Sequence, residues 1–305
     1  MLLSLLAETS QIAANAIHFE DLGLRKGIDL GFFELRFYSL AYLAGIVLGY
    51  WHLTKMIKAP GSPLAQRHAD DLFFWCTVGI ILGGRLGYAA FYTGGETGIP
   101  SLFSRPLDLL KLWEGGMSFH GGVLGVLAAI AWVCHQGKIS FLRTADYLAV
   151  CVPPGMLFGR LANFVNGELW GRVAGPDVPW AMVFPRGGPL PRHPSQLYEF
   201  ALEGIVLFGL IMLYRRFNPP AGSLGGLFLA GYGSARFLVE FYREPDAHLG
   251  VLSAGMSMGQ WLCVPMILSG FALLAWSRNK PTGLETMTAL EAAQAKVGKG
   301  SKRSK

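Results

Sequence analysis

Charge is scarce in this chain. Of its 305 residues only 15% are Asp, Glu, Lys or Arg, while 52% are hydrophobic. Soluble proteins carry roughly 25% charged residues, so the composition excludes an ordinary soluble domain and points to an integral membrane protein. The net charge of +6 forms no stripe on a soluble domain, which argues against a nucleic-acid partner. Cysteine is rarer still. Cys76, Cys134, Cys151 and Cys263 lie in or near apolar runs with no CxxC or zinc spacing, and they read as small core residues. HExxH is absent, and GMSF at 116–119 is not a GxSG nucleophile motif. Asp is scarce in the apolar runs, so no metal and no cofactor is expected. The start MLLSLLAETSQIAANAIHF has no positive n-region. An interfacial helix on the membrane surface is expected there, not a cleaved leader.

What is present is glycine, tryptophan and long apolar runs. Forty glycines and eight tryptophans suit close helix packing in lipid and anchoring at its interfaces. A span needs about 20 apolar residues. Runs near 36–54, 71–92, 117–135, 145–164, 195–214, 223–242 and 258–276 predict an all-α polytopic membrane protein with about seven transmembrane helices. Pro153-Pro154 predicts a kink or split in the fourth. Lys55, Lys58, Arg67, Lys138, Arg143, Arg215 and Arg216 fall on one set of connections, and a tail ending KVGKGSKRSK joins them. The positive-inside rule makes that side cytoplasmic, with the N-terminus outside and the C-terminus inside. The expected organisation is an outer N-terminal extension over 1–30, a helical domain over 31–278 and a basic cytoplasmic tail over 279–305. A short surface helix is expected in the tail stretch LETMTALEAAQAK. No internal repeat is evident.

Placed by depth, the polar residues of the spans gather near the outer leaflet. Tyr38, Arg85, His120, Arg160, Asn163, His193, Gln196, Tyr232, Arg236 and Glu240 come from six runs and share that level. An arginine at the centre of a membrane costs about 2.5–3.5 kcal/mol even on lenient scales, so Arg85 and Arg236 need partners or a wet cavity. Tyr232, Arg236 and Glu240 share a helix face at i, i+4, i+8, and Arg236 and Glu240 can pair.

Each residue also has a purely structural reading. The Arg236–Glu240 pair could simply stabilise a helix, and His120 could bond backbone. Arg160 could snorkel to the surface. Asn163 and Asn166 could cap a helix or turn. Ser195 could be an N-cap with Glu199 in the first turn. The Gly pairs at 83–84, 115–116 and 121–122 could serve tight helix contact. Taken together, arginines beside an apolar groove fit an anionic phospholipid, because guanidinium forks match phosphate oxygens. A nearby histidine and tyrosines can move protons. A lipid transporter would use the same groove but should show inverted repeats or paired broken helices. A structural membrane subunit would use the polar belt only for packing.

Four motifs then carry a resemblance. GRLANFVNGELWGR at 159–172, MSFHGGVLG at 117–125, RHPSQLYE at 192–199 and YGSARFLVEFYREPD at 232–246 resemble, in order, those of the bacterial prolipoprotein diacylglyceryl transferases. The likeness runs from Phe32 to Ser277, with Ala162 where many members have glycine. It implies an inner-membrane enzyme working at the outer leaflet. The enzyme moves the diacylglyceryl group of phosphatidylglycerol to the lipobox cysteine of a prolipoprotein signal peptide and releases glycerol phosphate. It further implies that Arg160 and Arg236 hold the lipid headgroup. His120 corresponds to a proposed base and Tyr38 to an essential tyrosine. Asn163, Glu168, Gly171, Tyr232 and Glu240 correspond to residues needed for activity or for the shape of the site. Arg85 joins them here as a further headgroup candidate. The base stays open among His120, Tyr232 and an arginine-supported arrangement.

Overall fold

A computed structural model describes residues 16–31, 34–93, 106–111, 115–244 and 255–282. Residues 1–15 of the expected interfacial helix and the expected tail helix lie outside them. The helices are α1 (Phe37–Met56), α2 (Gln66–Phe91), α3 (Phe119–Gly137), α4 (Phe141–Val165), α5 (Ser195–Arg215), α6 (Ser223–Val239) and α7 (Met258–Ser277). Of these, α2, α3, α4, α5 and α7 are long and apolar enough to cross a membrane. α1 is diluted by three tyrosines, a tryptophan, a histidine and a lysine. α6 has 17 residues, about 26 Å at 1.5 Å per residue, against a hydrocarbon core of about 30 Å.

The expected split of the fourth helix is not found. α4 runs unbroken through Pro153 and Pro154. The rings delete adjacent hydrogen bonds, and the rest of the 25-residue ladder carries the helix. The irregular helix is α5, whose stretch Phe200–Val206 is wound with wide π turns. Residues 17–19, expected in an interfacial helix, depart from it as well. Strand β1 (Ile17–His18) pairs in parallel with β4 (Met182–Val183). Beside it Phe19 packs against Phe164, Met182 and Phe184. β2 (Gly27–Asp29) and β3 (Glu34–Arg36) form an antiparallel pair leading into α1.

The chain divides into two compact units. The second, Leu53–Ala145, rests on the packing of α2 against α3. A Cβ on Gly79, Gly83 or Gly87 would overlap the backbone of Gly121 or Gly125. These glycines recur every fourth residue, so one bare stripe lies against another and the two backbones touch. The reading of Gly83 and Gly121 as packing residues is therefore correct. The first unit runs to His52 and again over Asp146–Thr282. Here Gly45 meets Gly155 between α1 and α4, and Gly226 meets Gly270 between α6 and α7.

α6 starts on Gly222, which has no side chain to cap it. Asp146 of α4 does so instead. Its carboxylate accepts from the N–H groups of Gly222 at 2.7 Å and Gly225 at 2.9 Å, and it is 1% exposed. The negative charge also meets the positive end of the helix dipole. Asp146→Ala should orphan one buried and one part-buried donor and cost about 1–3 kcal/mol, read as a lower thermal midpoint in detergent. An unchanged midpoint would mean that α6 does not depend on this cap.

Candidate active site

The first unit brings three arginines and three glutamates together. Arg160, in the last turns of α4, meets two carboxylates of α5. Its Nη1 lies 3.1 Å from Glu199 Oε2, and its Nε and Nη2 donate to Glu203 Oε2 at 3.2 and 3.1 Å. Arg236, near the end of α6, donates from Nη1 to Glu199 Oε1 at 3.1 Å. Its Nη2 lies 2.7 Å from Glu240 Oε2. Arg243 also donates to Glu199 Oε1, at 3.2 Å, and Ser257 Oγ donates to Glu240 Oε1 at 2.9 Å. One carboxylate, Glu199, therefore ties arginines from α4, α6 and the segment beyond α6.

Exposure separates the two signs. The Glu199 and Glu203 side chains are 0% exposed, whereas Arg160 and Arg236 are 19% and 15% exposed. The acids are hidden, and the arginine side chains keep some exposure. A buried carboxylate needs such partners, since ionised groups out of water are costly unless paired. The expected Arg236–Glu240 pair is present. Arg160 does not snorkel; it is held inward by two acids.

The turn after α4 is strapped onto the start of α5. Asn163 and Asn166 donate from Nδ2 to Glu168 Oε1 at 3.0 and 3.2 Å, so their amides order an acid in place of capping the helix. Ser195 Oγ donates to the carbonyl of Leu169 at 3.0 Å, and Gln196 Nε2 to that of Glu168 at 2.6 Å. Ser195 is thus no N-cap; its hydroxyl faces the turn. Leu169 is held at φ +58°, a conformation that costs a non-glycine residue about 1 kcal/mol or more. The straps from α5 supply that constraint.

Gly171 sits where backbones cross. Its N–H donates to His193 O at 2.8 Å, and a Cβ there would overlap Tyr242 O and His193. Arg172 N–H donates to Tyr242 O at 2.8 Å and its Nε to Arg243 O at 2.9 Å. Arg192 closes the junction through Gly171 O at 3.1 Å and Glu244 at 2.8 Å. The motifs at 159–172, 192–199 and 232–246 are therefore one knot. Gly171 shapes it through its backbone.

The other expected residues fall as follows. Tyr38 bonds Tyr42, hydroxyl to hydroxyl at 3.1 Å, and lies within electrostatic reach of Glu168 and Arg160. Tyr232 is half-buried, stacks on Phe228, and lies within reach of Glu203, Arg160 and Arg236. His120 and Arg85 belong to the second unit. His120 is exposed in the first turn of α3. Arg85 is 7% exposed and donates to the carbonyls of Leu109, Lys111, Gly115 and Gly116. Its donors hold the segment before α3, which leaves the guanidinium little to offer a headgroup.

Glu203 and Arg243 were not anticipated, and Glu199 only as a first-turn acid. The signal was there in the charges. Two carboxylates four residues apart inside an apolar run demand cations at the same depth, and Arg160 and Arg236 demand anions.

His193 gives the junction a pH dependence. Trp180 Nε1 donates to Tyr198 Oη at 2.6 Å, and that hydroxyl lies 3.0 Å from His193 Nδ1. Burial lowers the His193 pKa below the ordinary value. A depressed value means stability that is fully present above the unfolded pKa, about 6.5, and lost as pH falls through the folded one. The thermal midpoint should therefore drop more between pH 7 and pH 5 in wild type than in His193→Gln. Parallel curves would remove His193 as the cause.

Comparison with known proteins matches the sequence to a family. The family model for prolipoprotein diacylglyceryl transferase covers residues 26–276. The phosphatidylglycerol–prolipoprotein diacylglyceryl transferase of Erythrobacter litoralis is 54% identical over 278 residues, 88% of this chain and 95% of its own. That of Zymomonas mobilis is 47% identical over 284 residues, 88% and 96% of the two chains. That of Vibrio vulnificus strain CMCP6 is 51% identical over 252 residues, 83% and 90%. With the four motifs inside the matched region and three of them tied into one knot around paired arginines, the chain belongs to the prolipoprotein diacylglyceryl transferase family.

Proposed function

We propose that this chain transfers the diacylglyceryl group of phosphatidylglycerol to the lipobox cysteine thiol of a prolipoprotein, releasing glycerol phosphate. The observation that carries this is the pairing of hidden acids with partly exposed arginines. Glu199, Glu203 and Glu240 hold Arg160 and Arg236 from behind. Each fork keeps N–H groups for a phosphate in front. As the thiol sulfur attacks the glyceryl carbon, the C–S bond forms and the C–O bond to phosphate breaks. The leaving phosphate gains charge, which fixed guanidinium donors stabilise without reorganisation. The thiol proton must leave, because the thiolate is the nucleophile. His120, Tyr232 or an arginine-supported arrangement serves as its acceptor.

In this reading all seven helices cross the bacterial inner membrane, with the N-terminus outside and the basic tail over 279–305 in the cytoplasm. The catalytic domain spans 31–278, and 1–30 is an outer extension. The arginine cluster lies at the end of α4 away from Arg143 and at the end of α5 away from Arg215. That supports a site opening to the outer leaflet. Asn163 and Glu168 shape the headgroup pocket through their own hydrogen bond, Gly171 through the backbone crossing, and Tyr38 borders it.

The test is direct. Purified protein is mixed with phosphatidylglycerol and a lipobox peptide, and mass spectrometry reads the diacylglyceryl adduct on the cysteine. Wild type should form it and Arg160→Ala should not. No adduct from folded, lipid-binding wild type would turn the reading toward lipid transport.

A further inference from the structure

Glu203 lies outside the four motifs, four residues beyond the last residue of RHPSQLYE. The geometry points to Glu203 as the positioning residue for Arg160 in thioether formation, an inference that rests on the transferase reading above. Three observations carry it.

The first is the form of the contact. Glu203 Oε2 receives both Nε and Nη2 of Arg160, at 3.2 and 3.1 Å. Two donors on one edge of a planar group fix its plane as well as its charge. The Nη1 corner then points to Glu199, so the orientation of the fork is determined at two places.

The second is that, among the described residues, the hydrogen bonds and ion pair of the Glu203 side chain all go to Arg160. The Glu203 side chain is 0% exposed. Among the described residues Oε1 makes no hydrogen bond. A buried carboxylate with one idle oxygen is an expensive way to stabilise a helix pair. Glu199, by contrast, is shared among three arginines.

The third is the backbone. Glu203 sits within the wide turns of Phe200–Val206. Such turns are rare in helices and occur often at functional sites. They carry Glu203 to an angle on α5 that regular α-helical winding would not give. The next residue, Gly204, lies against Leu157 of α4, where a Cβ would overlap. Leu157 is three residues before Arg160 and on the same face. The wide turn and the bare glycine thus seat α5 on α4 at the level where the acid meets the arginine.

Glu203 is therefore expected to act through Arg160 and not on substrate. Losing it should leave Arg160 charged and tied to Glu199 but with its plane less firmly set, which harms the transition state more than ground-state binding. The experiment measures kcat and the KM for phosphatidylglycerol with a lipobox peptide in mixed micelles. Wild type, Glu203→Gln and Glu203→Asp are compared, each normalised to folded protein by size-exclusion in detergent. Glu203→Gln keeps the shape and removes the charge. It should lower kcat by about 10²-fold while KM stays within about three-fold. Glu203→Asp, with the charge kept and the reach shortened, should recover part of kcat. A Glu203→Gln enzyme with kcat near wild type overturns the inference, and so does failure of both variants to fold, which would leave Glu203 a purely structural group. Wild type is read first in the same assay. Its failure to form adduct would refute the transferase reading itself, and the role for Glu203 with it.

Discussion

Arg236→Lys is expected to lower kcat for adduct formation by about 10²–10³-fold, the range for removing one fixed donor from a developing oxyanion. The substitution keeps the charge, so the loss tests geometry. Arg236 spans two acids, Glu199 Oε1 at 3.1 Å and Glu240 Oε2 at 2.7 Å, from two different nitrogens. A lysine ammonium is a single point on a flexible stem. It can sit near one acid, or between them, but it cannot bridge both and still present an N–H to a phosphate. The measurement is the initial rate by mass spectrometry at saturating phosphatidylglycerol. A Lys variant turning over at the wild-type rate would remove Arg236 from the reacting centre and favour a purely structural ion pair. Arg236→Ala should add a stability loss, because among the described residues Glu240 would keep only Ser257 as a side-chain donor.

Glu199→Ala is expected to cost about 3–5 kcal/mol of stability, the range for removing one partner of a buried ion pair. Glu199 is the joint of the network. It holds Arg160, Arg236 and Arg243 through its two oxygens. Without it three arginines face two remaining acids, and the excess charge lies where the side chains are at least four-fifths buried. Thermal unfolding in detergent should show a drop of several degrees in midpoint, and surviving protein should have little activity. Glu199→Gln should lose less stability, since its carbonyl oxygen still accepts from an arginine. A Glu199→Ala protein that melts with wild type would mean that the three arginines are solvated in place, and the hidden-acid picture of the site would fail.

These effects bear on why only part of the site was legible. Arg160, Asn163, Tyr232, Arg236 and Glu240 stand out because a polar residue in an apolar run is conspicuous. The helical period alone pairs Arg236 with Glu240. Glu199 and Glu203 were just as conspicuous as charges. Their partners, however, lie 37 to 44 residues away along the chain, and nothing in a linear pattern aligns such positions. Arg85 shows the reverse case. It looked like a headgroup arginine by depth, yet its donors go to backbone carbonyls of Leu109, Lys111, Gly115 and Gly116. Local sequence does not reveal a carbonyl cluster formed by a loop 24 to 31 residues further on.

The helices show the same division. Their positions follow from hydropathy, because a run of apolar residues has no better conformation in lipid than a helix that bonds its own backbone. The glycine pairs at 83–84 and 121–122 likewise announce a close contact, and Gly83 and Gly121 make one. The regularity of each helix was a different matter. Proline's effect depends on whether the surrounding ladder can carry the lost bonds, and in α4 it does. The wide turns of α5 have no marker residue; they arise where Glu203 must reach Arg160 and Gly204 must clear Leu157. By itself, then, the sequence determined the membrane class, the helix positions and the family, since each depends on local composition or on contiguous motifs. The tertiary structure alone decided that Glu199 and Glu203 of α5 hold Arg160 of α4 and that Glu199 also holds Arg236 of α6, because those pairings join helices at points that only folding brings within 3 Å or so of each other.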